Sequence, residues 1–420
     1  MDRRDFVRRF TMLSAALSAP SFLVNSIKAA QVQKKALKSA LDERILLVIE
    51  LAGGTDGLNT VVPFTNDFYR QKRPSLAIPE SQVLKLDDTY GFHPRMTGFK
   101  ELFDDGKMAI MHGIGYPNPN RSHFRSKDIW STAEPIEIGT NGWLANYFDE
   151  LQATGSLQGL AVGGSVPKAM ISENGSLPAI QSIETFRLET DPLHPGDDAN
   201  KNAAFQQILA QPNSRYNLQQ YVTQTALDAT LASIELLEGQ DNYNSTVEYP
   251  SSAFAENLRT CAKIMAADLG VRVYYLTIGG FDTHAEQANP GANTQGALGD
   301  LLETVSGGIR AFWEDMEQMG REEQVTIMTF SEFGRRLFEN ASDGTDHGTA
   351  NQMFLIGGAV KPGFHGLHPS LAPDDLDSVG DMVYSRDFRE VYATVLQSWL
   401  GADPVPILGG EFPILDVFQA

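Results

Sequence analysis

The amino-acid sequence predicts an α/β fold, with a doubly wound, mainly parallel sheet that carries helices on both faces. Apolar runs of strand length alternate with longer amphipathic segments along the chain, a pattern typical of parallel sheets. Glycine-containing turns follow several of these runs, as in Gly53-Gly54 and Gly279-Gly280. The 420 residues contain no low-complexity linker or fixed-period repeat, so we expect one large α/β domain over residues 41–420.

The predicted elements follow from local composition. The first strand is the β-branched, apolar run RILLVIEL, and the other strands are apolar runs of similar length. The predicted strands are Arg44–Leu51, Met108–Ile114, Val271–Ile278, Val325–Phe330 and Gln352–Ile356. The predicted helices are Pro94–Phe103, Leu218–Leu237, Ser252–Asp268, Thr294–Gln318 and Phe388–Leu400. Residues 130–215 are rich in Gly, Ser, Pro and Asp, so a loop-rich and helical insertion is expected around 130–268.

The N-terminus has the pattern of an export signal over residues 1–30. Arg3-Arg4 is followed by Phe6-Val7 and by an uncharged run from Phe10 to Ile27, which is similar to a twin-arginine signal. The run contains four Ser and a Pro, so it is a poor membrane span. We therefore expect contact with the twin-arginine export machinery, a periplasmic or otherwise exported protein, and no stable membrane span in the mature chain.

The charge distribution excludes one class of partner. The formal net charge is −20, and residues 1–40 hold eight Lys/Arg against two Asp/Glu, so the remainder is more acidic still. Such a body repels polyanions, which argues against nucleic acid as a partner. The single cysteine, Cys261, excludes an internal disulfide and a zinc site built on paired cysteines.

Polar motifs follow the predicted strands and are the candidate site. In an open parallel sheet, the loops beyond the carboxyl ends of the strands line one crevice. Asp56, Ser122, His123, Asp282, His284 and Glu332 lie in such loops. Taken singly, Asp56 is as well explained as a helix cap, and Glu332 as the partner of a neighbouring arginine. Together, carboxylates and imidazoles indicate a divalent metal: zinc or manganese, or magnesium or calcium if carboxylates dominate.

Such a site supports hydrolysis assisted by one or two metal ions. Arg121, Arg125 and Arg335 lie close to the motifs in sequence and are candidates for binding an anionic ester. A solvated surface position is the alternative for each of them.

The motifs GGTDGLN, NRSHF, FDTH, SEFGRR and GTDHG resemble the bacterial family called domain of unknown function 1501. That family is similar to the alkaline phosphatase and sulfatase superfamily. The resemblance implies an alkaline phosphatase-like fold and ligand roles for Asp56, Asp282, His284, Glu332 and His347. Among the residues of this chain, Ser122 most nearly matches the position of the superfamily's nucleophile.

The chain departs from the superfamily in two respects. Asp282 and His284 are closer together in sequence than the usual spacing of these ligands. The superfamily has Asp followed by His or Asn where this chain has Glu332 followed by Phe333, which favours a second metal that is weak or absent. Asp346 with His347 is an alternative source for that Asp-His pair. The catalytic candidates are therefore Arg121, Ser122 and His123.

Two functions remain open from the sequence. The first is an exported hydrolase acting on a phosphate ester of a small molecule or glycan, with sulfate ranked lower because Ser122 is followed by His-Phe-Arg without the proline of sulfatase motifs. The alternative is a non-catalytic envelope binding protein with a degenerate metal site.

Overall fold

The computed structural model describes residues 43–151, 158–183, 200–201 and 242–419. The predicted signal at residues 1–30 and the predicted helix Leu218–Leu237 lie outside these residues. None of the described helices combines the length and apolarity that crossing a bilayer requires.

Among the described residues, the central sheet has nine strands. They are β1 (Ile45–Leu51), β5 (Met108–Gly115), β6 (Gly159–Val162), β9 (Ala179–Ile180), β10 (Val273–Ile278), β11 (Val325–Phe330), β14 (Asn351–Gly357), β15 (Gly363–His365) and β16 (Arg386–Asp387). The main path of the sheet runs in the order β15-β5-β14-β11-β1-β10-β6-β9, and β16 also pairs with β5. Short strands outside it are β2 (Val61–Val62), β3 (Leu84–Lys85), β4 (Gly91–Phe92), β7 (Ile171–Ser172), β8 (Gly175–Ser176), β12 (Arg335–Glu339) and β13 (Thr345–His347).

The helices cover both faces of the sheet. In chain order they are α1 (Gly57–Thr60), α2 (Asp67–Lys72), α3 (Thr97–Asp104), α4 (His123–Thr132), α5 (Trp143–Glu150), α6 (Ala253–Ala266), α7 (Ala297–Gln318), α8 (Phe388–Thr394) and α9 (Pro404–Leu408). Short 3-10 turns lie at Lys168–Met170, Glu322–Gln324 and Pro373–Asp375, and a π-helical segment at Val395–Trp399 extends α8.

Alternation along β1 explains why the sheet is covered on both sides. Leu47 and Ile49 point into a core shared with α3, α6 and α7. Leu46 and Val48 point into a second core shared with α4, α5 and α8. Because successive strand residues face opposite sides, an uninterrupted apolar run is what a sheet buried on both faces requires. The predicted doubly wound, mainly parallel sheet is confirmed.

Strand β14 runs against its neighbours. β1 pairs in parallel with β10 and β11, whereas β14 is antiparallel to both β11 and β5. The start of β14 therefore lies at the edge where the parallel strands end. This reversal explains why the GTDHG motif precedes its strand, while the other motifs follow theirs.

Two short strands of the central sheet lie within residues 130–268, in the part that the structure describes. β6 extends the central sheet beside β10, and β9 pairs with β6. These strands have four and two residues, too short for a clear apolar period, which is why the sequence indicated only loops there.

Candidate metal centre

The candidate site lies at the edge of the sheet where β1, β10 and β11 end. A sharp turn, Gly53-Gly54, leaves β1 with φ angles of 127° and 76°. A Cβ atom on Gly53 would lie 2.4 Å from the backbone nitrogen of Asp282. Glycine is therefore needed both for the positive φ and for the close approach of the chain that carries Asp282.

Three side chains from distant segments converge beyond this turn. His123, Asp282 and His347 each place one potential ligand atom within 4.8 Å of the others. His123 is the first residue of α4, His347 is the last residue of β13, and Asp282 follows β10. His123 Nε2 lies 3.2 Å from Asp282 Oδ2, and His347 Nε2 lies 3.0 Å from Asp282 Oδ1.

A third histidine adjoins this group. His284 Nε2 is 2.8 Å from His347 Nε2 and 3.1 Å from Asp282 Oδ1. The side chains of Asp282 and His284 are 46 % and 44 % exposed, so the group opens to solvent on one side. We call His123, Asp282, His284 and His347 the histidine–aspartate cluster.

The Nδ1 atoms of three histidines each face an oxygen acceptor. His123 Nδ1 lies 2.8 Å from Glu332 Oε1, His284 Nδ1 lies 3.0 Å from Asp346 Oδ1, and His347 Nδ1 lies 2.7 Å from the Arg121 carbonyl oxygen. In the tautomer protonated on Nδ1, each of these contacts is a hydrogen bond and each Nε2 presents a lone pair. Metal-binding histidines are held in this way in proteins.

Asp282 stays ionised at the centre of the cluster. Desolvation would raise the pKa of Asp282, but the hydrogen bonds from Arg335 and His347 outweigh it and hold the pKa well below its usual range. Arg335 Nη2 lies 2.6 Å from Asp282 Oδ1, and its side chain is fully buried. The same guanidinium donates to the carbonyl oxygens of Gly54 and Thr345, so Arg335 braces the turn and is not free to bind an ester.

Glu332 supports the cluster from behind. Its side chain is fully buried, and its carboxylate accepts from the amides of Gly53 and Gly54 as well as from His123 Nδ1. With these donors the carboxylate is oriented toward the turn and the imidazole. Glu332 therefore contacts the Nδ1 side of His123, and Asp346 contacts the Nδ1 side of His284 in the same way.

Asp56 lies apart from the cluster. Its Oδ2 pairs at 2.5 Å with Arg73 Nη1 and accepts from Gln287 Nε2 at 2.6 Å. The Arg73 and Asp56 side chains are both fully buried. The structure thus gives Asp56 a buried ion pair with Arg73, the residue that follows α2, while Asp56 Oδ1 has no hydrogen-bond partner among the described residues. The ligand role of Asp56 stays a prediction.

Ser122 and Arg121 border the cluster. Ser122 is the exposed N-cap residue of α4, directly before His123, and its side chain makes no capping hydrogen bond to the described chain. Arg121 Nε and Nη2 bind Asp381 and Asp377 at 2.7 and 2.9 Å. The side chain of Arg121 is therefore committed to carboxylates, while its carbonyl oxygen orients His347.

Two supporting residues were missed from the sequence. The ring of Phe333 packs 5.0 Å from the ring of His123 and 4.6 Å from that of His347, which restricts both imidazoles. Gln287 connects Asp56 to Thr283 and Thr345. An isolated Phe or Gln has no sequence signature, although Phe333 does occupy the position where the chain departs from the superfamily.

Three imidazole nitrogens and one carboxylate form a donor set that suits zinc or manganese. Calcium and magnesium prefer sites made mainly of oxygen atoms. The cluster therefore fits a transition metal ion better than a hard alkaline-earth ion.

The chain is similar to several solved structures, at low identity. A protein in the alkaline phosphatase superfamily from Vibrio parahaemolyticus gives a TM-score of 0.40 at 10 % identity, covering 87 % of this chain and 69 % of that chain. A sulfatase from Pseudoalteromonas sp. gives 0.39 at 12 % identity, covering 94 % and 74 %. A lipoteichoic acid synthase from Listeria monocytogenes gives 0.36 at 8 % identity, covering 89 % and 76 %. At these values the likeness does not bear on substrate or activity.

No curated protein matches the chain. The family described as "Protein of unknown function (DUF1501)" matches residues 43–403, which include all four residues of the histidine–aspartate cluster. The chain therefore belongs to the DUF1501 family.

Proposed function

We propose that this protein is an exported, metal-dependent hydrolase that cleaves a phosphate ester at one divalent transition metal ion held by His123, Asp282, His284 and His347. A sulfate ester is the second choice. The Arg3-Arg4 motif and the uncharged run after it support export.

One observation carries the proposal. His284 Nε2 and His347 Nε2 lie 2.8 Å apart, while the Nδ1 atom of each ring lies within 3.0 Å of an acceptor. Asp282 Oδ1 lies 3.1 and 3.0 Å from these two nitrogens, and Asp282 Oδ2 lies 3.2 Å from His123 Nε2. With both rings protonated on Nδ1, the two Nε2 lone pairs would repel each other, and a bound cation would turn this repulsion into attraction.

The chain's own residues suit ester hydrolysis. A bound ion of this kind lowers the pKa of a coordinated hydroxyl or water and polarises an ester oxygen. The first turn of α4 begins at the cluster, so its backbone amides favour an anionic group there. The Ser122 hydroxyl is the proposed nucleophile: its oxygen gives its proton to water and bonds to phosphorus as the bond to the alcohol oxygen breaks, and the alcohol leaves with a proton from water. A second water then bonds to phosphorus, the bond between Ser122 Oγ and phosphorus breaks, Oγ regains a proton, and phosphate is released.

A non-catalytic metal-binding envelope protein is the second candidate. It is favoured because Arg121 and Arg335, the arginines around the cluster, already bind carboxylates and carbonyl oxygens. They are therefore not available to bind an anionic substrate, and only the bound ion would attract one. The two functions share the metal site and differ in turnover.

The test measures metal content and turnover together. The full chain, purified without chelator and incubated with zinc or manganese, should hold about one ion per chain. The His347→Ala variant should lose most of it, whereas the control variant His365→Ala, whose ring binds the Lys361 carbonyl oxygen away from the cluster, should keep it. Ser122→Ala should keep the metal and lose turnover of phenyl phosphate.

The outcomes separate the candidates. Equal metal content in His347→Ala and wild type would exclude this ligand set. Metal binding that depends on His347, without hydrolysis of phenyl phosphate, phenyl sulfate or a panel of other phosphate esters, would favour the binding protein.

A further inference from the structure

Phe124 is an exposed aromatic residue beside the cluster. Its side chain is 92 % exposed, whereas Ile129 and Trp130 of the same helix are buried. It directly follows His123 and is the second residue of α4. An exposed aromatic ring at this point costs free energy in water and is retained without any packing role in the described core.

The position of Phe124 places its ring near the end of α4 that carries His123. Side chains on an α-helix lean toward its N-terminus and cover the surface one turn before their own Cα atom. At the second position of α4, no helical turn precedes Phe124. Its ring therefore extends past the end of the helix at which Ser122 and His123 lie.

Two further exposed apolar residues accompany the first turn of α4. Ile136 and Ile138 are 81 % and 79 % exposed. Arg125 holds their segment beside the helix, because its guanidinium donates to the carbonyl oxygens of Glu134, Pro135 and Glu137. Phe124, Ile136 and Ile138 form what we call the apolar lip.

The charges around the cluster restrict what can bind there. Arg121 is bound by Asp377 and Asp381, and Arg336 Nε donates to the same Asp381 at 2.9 Å. Arg335 is fully buried against Asp282. These guanidinium groups are already paired, and the chain carries a net charge of −20, so an extended polyanion would be repelled. A substrate with one compact anionic group and an apolar remainder fits this arrangement.

From this we infer that Phe124 is a specificity-determining residue, which packs against an aromatic group of the ester while the anionic group lies at the histidine–aspartate cluster. The inference rests on the proposed function, since it deepens the description of the same site. It names the substrate class as aryl or similarly apolar esters, in place of polyanionic glycans.

Equilibrium binding of two inert phosphonates tests this without depending on turnover. Calorimetry with the metal-loaded full chain should give a dissociation constant about tenfold lower for phenylphosphonate than for methylphosphonate, as expected for one aromatic contact. Phe124→Ser should remove this preference, and Phe124→Tyr should retain it because the ring remains. Val405→Ser, in which a 41 % exposed residue of α9 is replaced, is the matched control and should retain it.

Each outcome has a distinct meaning. Equal affinity for both phosphonates in the metal-loaded wild type, or an unchanged preference in Phe124→Ser, overturns the role of Phe124 and leaves the metal site standing. No uptake of metal, together with a phenyl preference that Phe124→Ser abolishes, overturns the proposed metal function and leaves the apolar lip as a binding surface.

Discussion

The histidine–aspartate cluster and the buried polar groups below it contain the same residue types in opposite roles. In the cluster, the side chains of His284 and Asp282 are nearly half exposed, and His284 Nε2 lies 3.1 Å from Asp282 Oδ1. Below it, Asp56 is closed off by Arg73. His112 in β5 is 2 % exposed, and neither of its ring nitrogens has a partner among the described residues.

The difference shows how a ligand is distinguished from a structural residue. In each cluster histidine, Nδ1 faces an oxygen acceptor, whereas Nε2 lies on the side of the ring nearest Asp282. His112 instead stacks on Phe364, with ring planes 9° apart, and lies 5.2 Å from the ring of His368. The partner of the second nitrogen, more than burial alone, separates the two kinds of histidine.

The largest effect is expected from breaking the Asp56–Arg73 pair. Asp56→Ala leaves the Arg73 guanidinium buried without its carboxylate, which should lower the free energy of unfolding by about 3–5 kcal/mol. Denaturant unfolding measures this loss. The folded fraction should still bind metal, because Asp56 lies outside the cluster.

Asp282→Ala is the matched control for this comparison. It should abolish metal binding, since the central carboxylate is lost. A stable Asp56→Ala variant that binds no metal would contradict the division drawn here and restore Asp56 as a ligand.

A smaller effect is expected from Glu332→Gln. The amide still fills the space, but it accepts less strongly from the Gly53 amide and from His123 Nδ1. Loss of such supporting contacts lowers metal affinity by about 10–100-fold, which competition with a metal-binding dye measures. Glu339→Gln is the control, because Glu339 also accepts backbone amides, those of Ser75 and Leu76, away from the cluster. Equal affinities in both variants would show that Glu332 does not support His123.

The last prediction concerns acid stability, and over the measured range from pH 7 to 5 its effect is small. Burial, together with a smaller effect of nearby His368, lowers the pKa of His112 to about 3. The unfolded chain binds this proton near pH 6.5 and the folded chain does not. The contribution of neutral His112 to the free energy of unfolding is therefore complete above pH 6.5. It is lost as the pH falls toward 3, at up to about 1.4 kcal/mol per pH unit.

The variant His112→Phe should weaken this dependence. Urea unfolding of wild type and variant between pH 7 and 5 measures the slope of stability against pH. The variant's slope should be smaller. Identical slopes in His112→Phe and wild type would assign the acid sensitivity to other groups.

The sheet was largely predictable from the sequence. The strand Val325–Phe330 was predicted with the bounds that the structure has, and the other long strands differ by one or two residues at their ends. Apolar runs buried on both faces leave a strong pattern. The short strands β6 and β9 leave no such pattern in the sequence, because their position is set by the pairing of β6 with β10 and of β9 with β6.

The convergence of motifs at one edge was also predictable, since it follows from parallel strands. The roles within it were not. Glu332 and Asp282 each follow a strand, yet Glu332 is turned by the Gly53 and Gly54 amides while Asp282 faces the histidines. Such orientation depends on contacts between residues far apart in sequence, which a single chain read in order does not reveal.

The turn after β1 has a consequence for when the cluster can form. The Gly53 amide and the Glu332 carboxylate that it binds are separated by 279 residues. His123 depends on that carboxylate for its orientation. Residues 53 and 332 must therefore both be synthesised and docked before the proposed ligands meet, so metal uptake should be a late event that follows the assembly of this part of the domain.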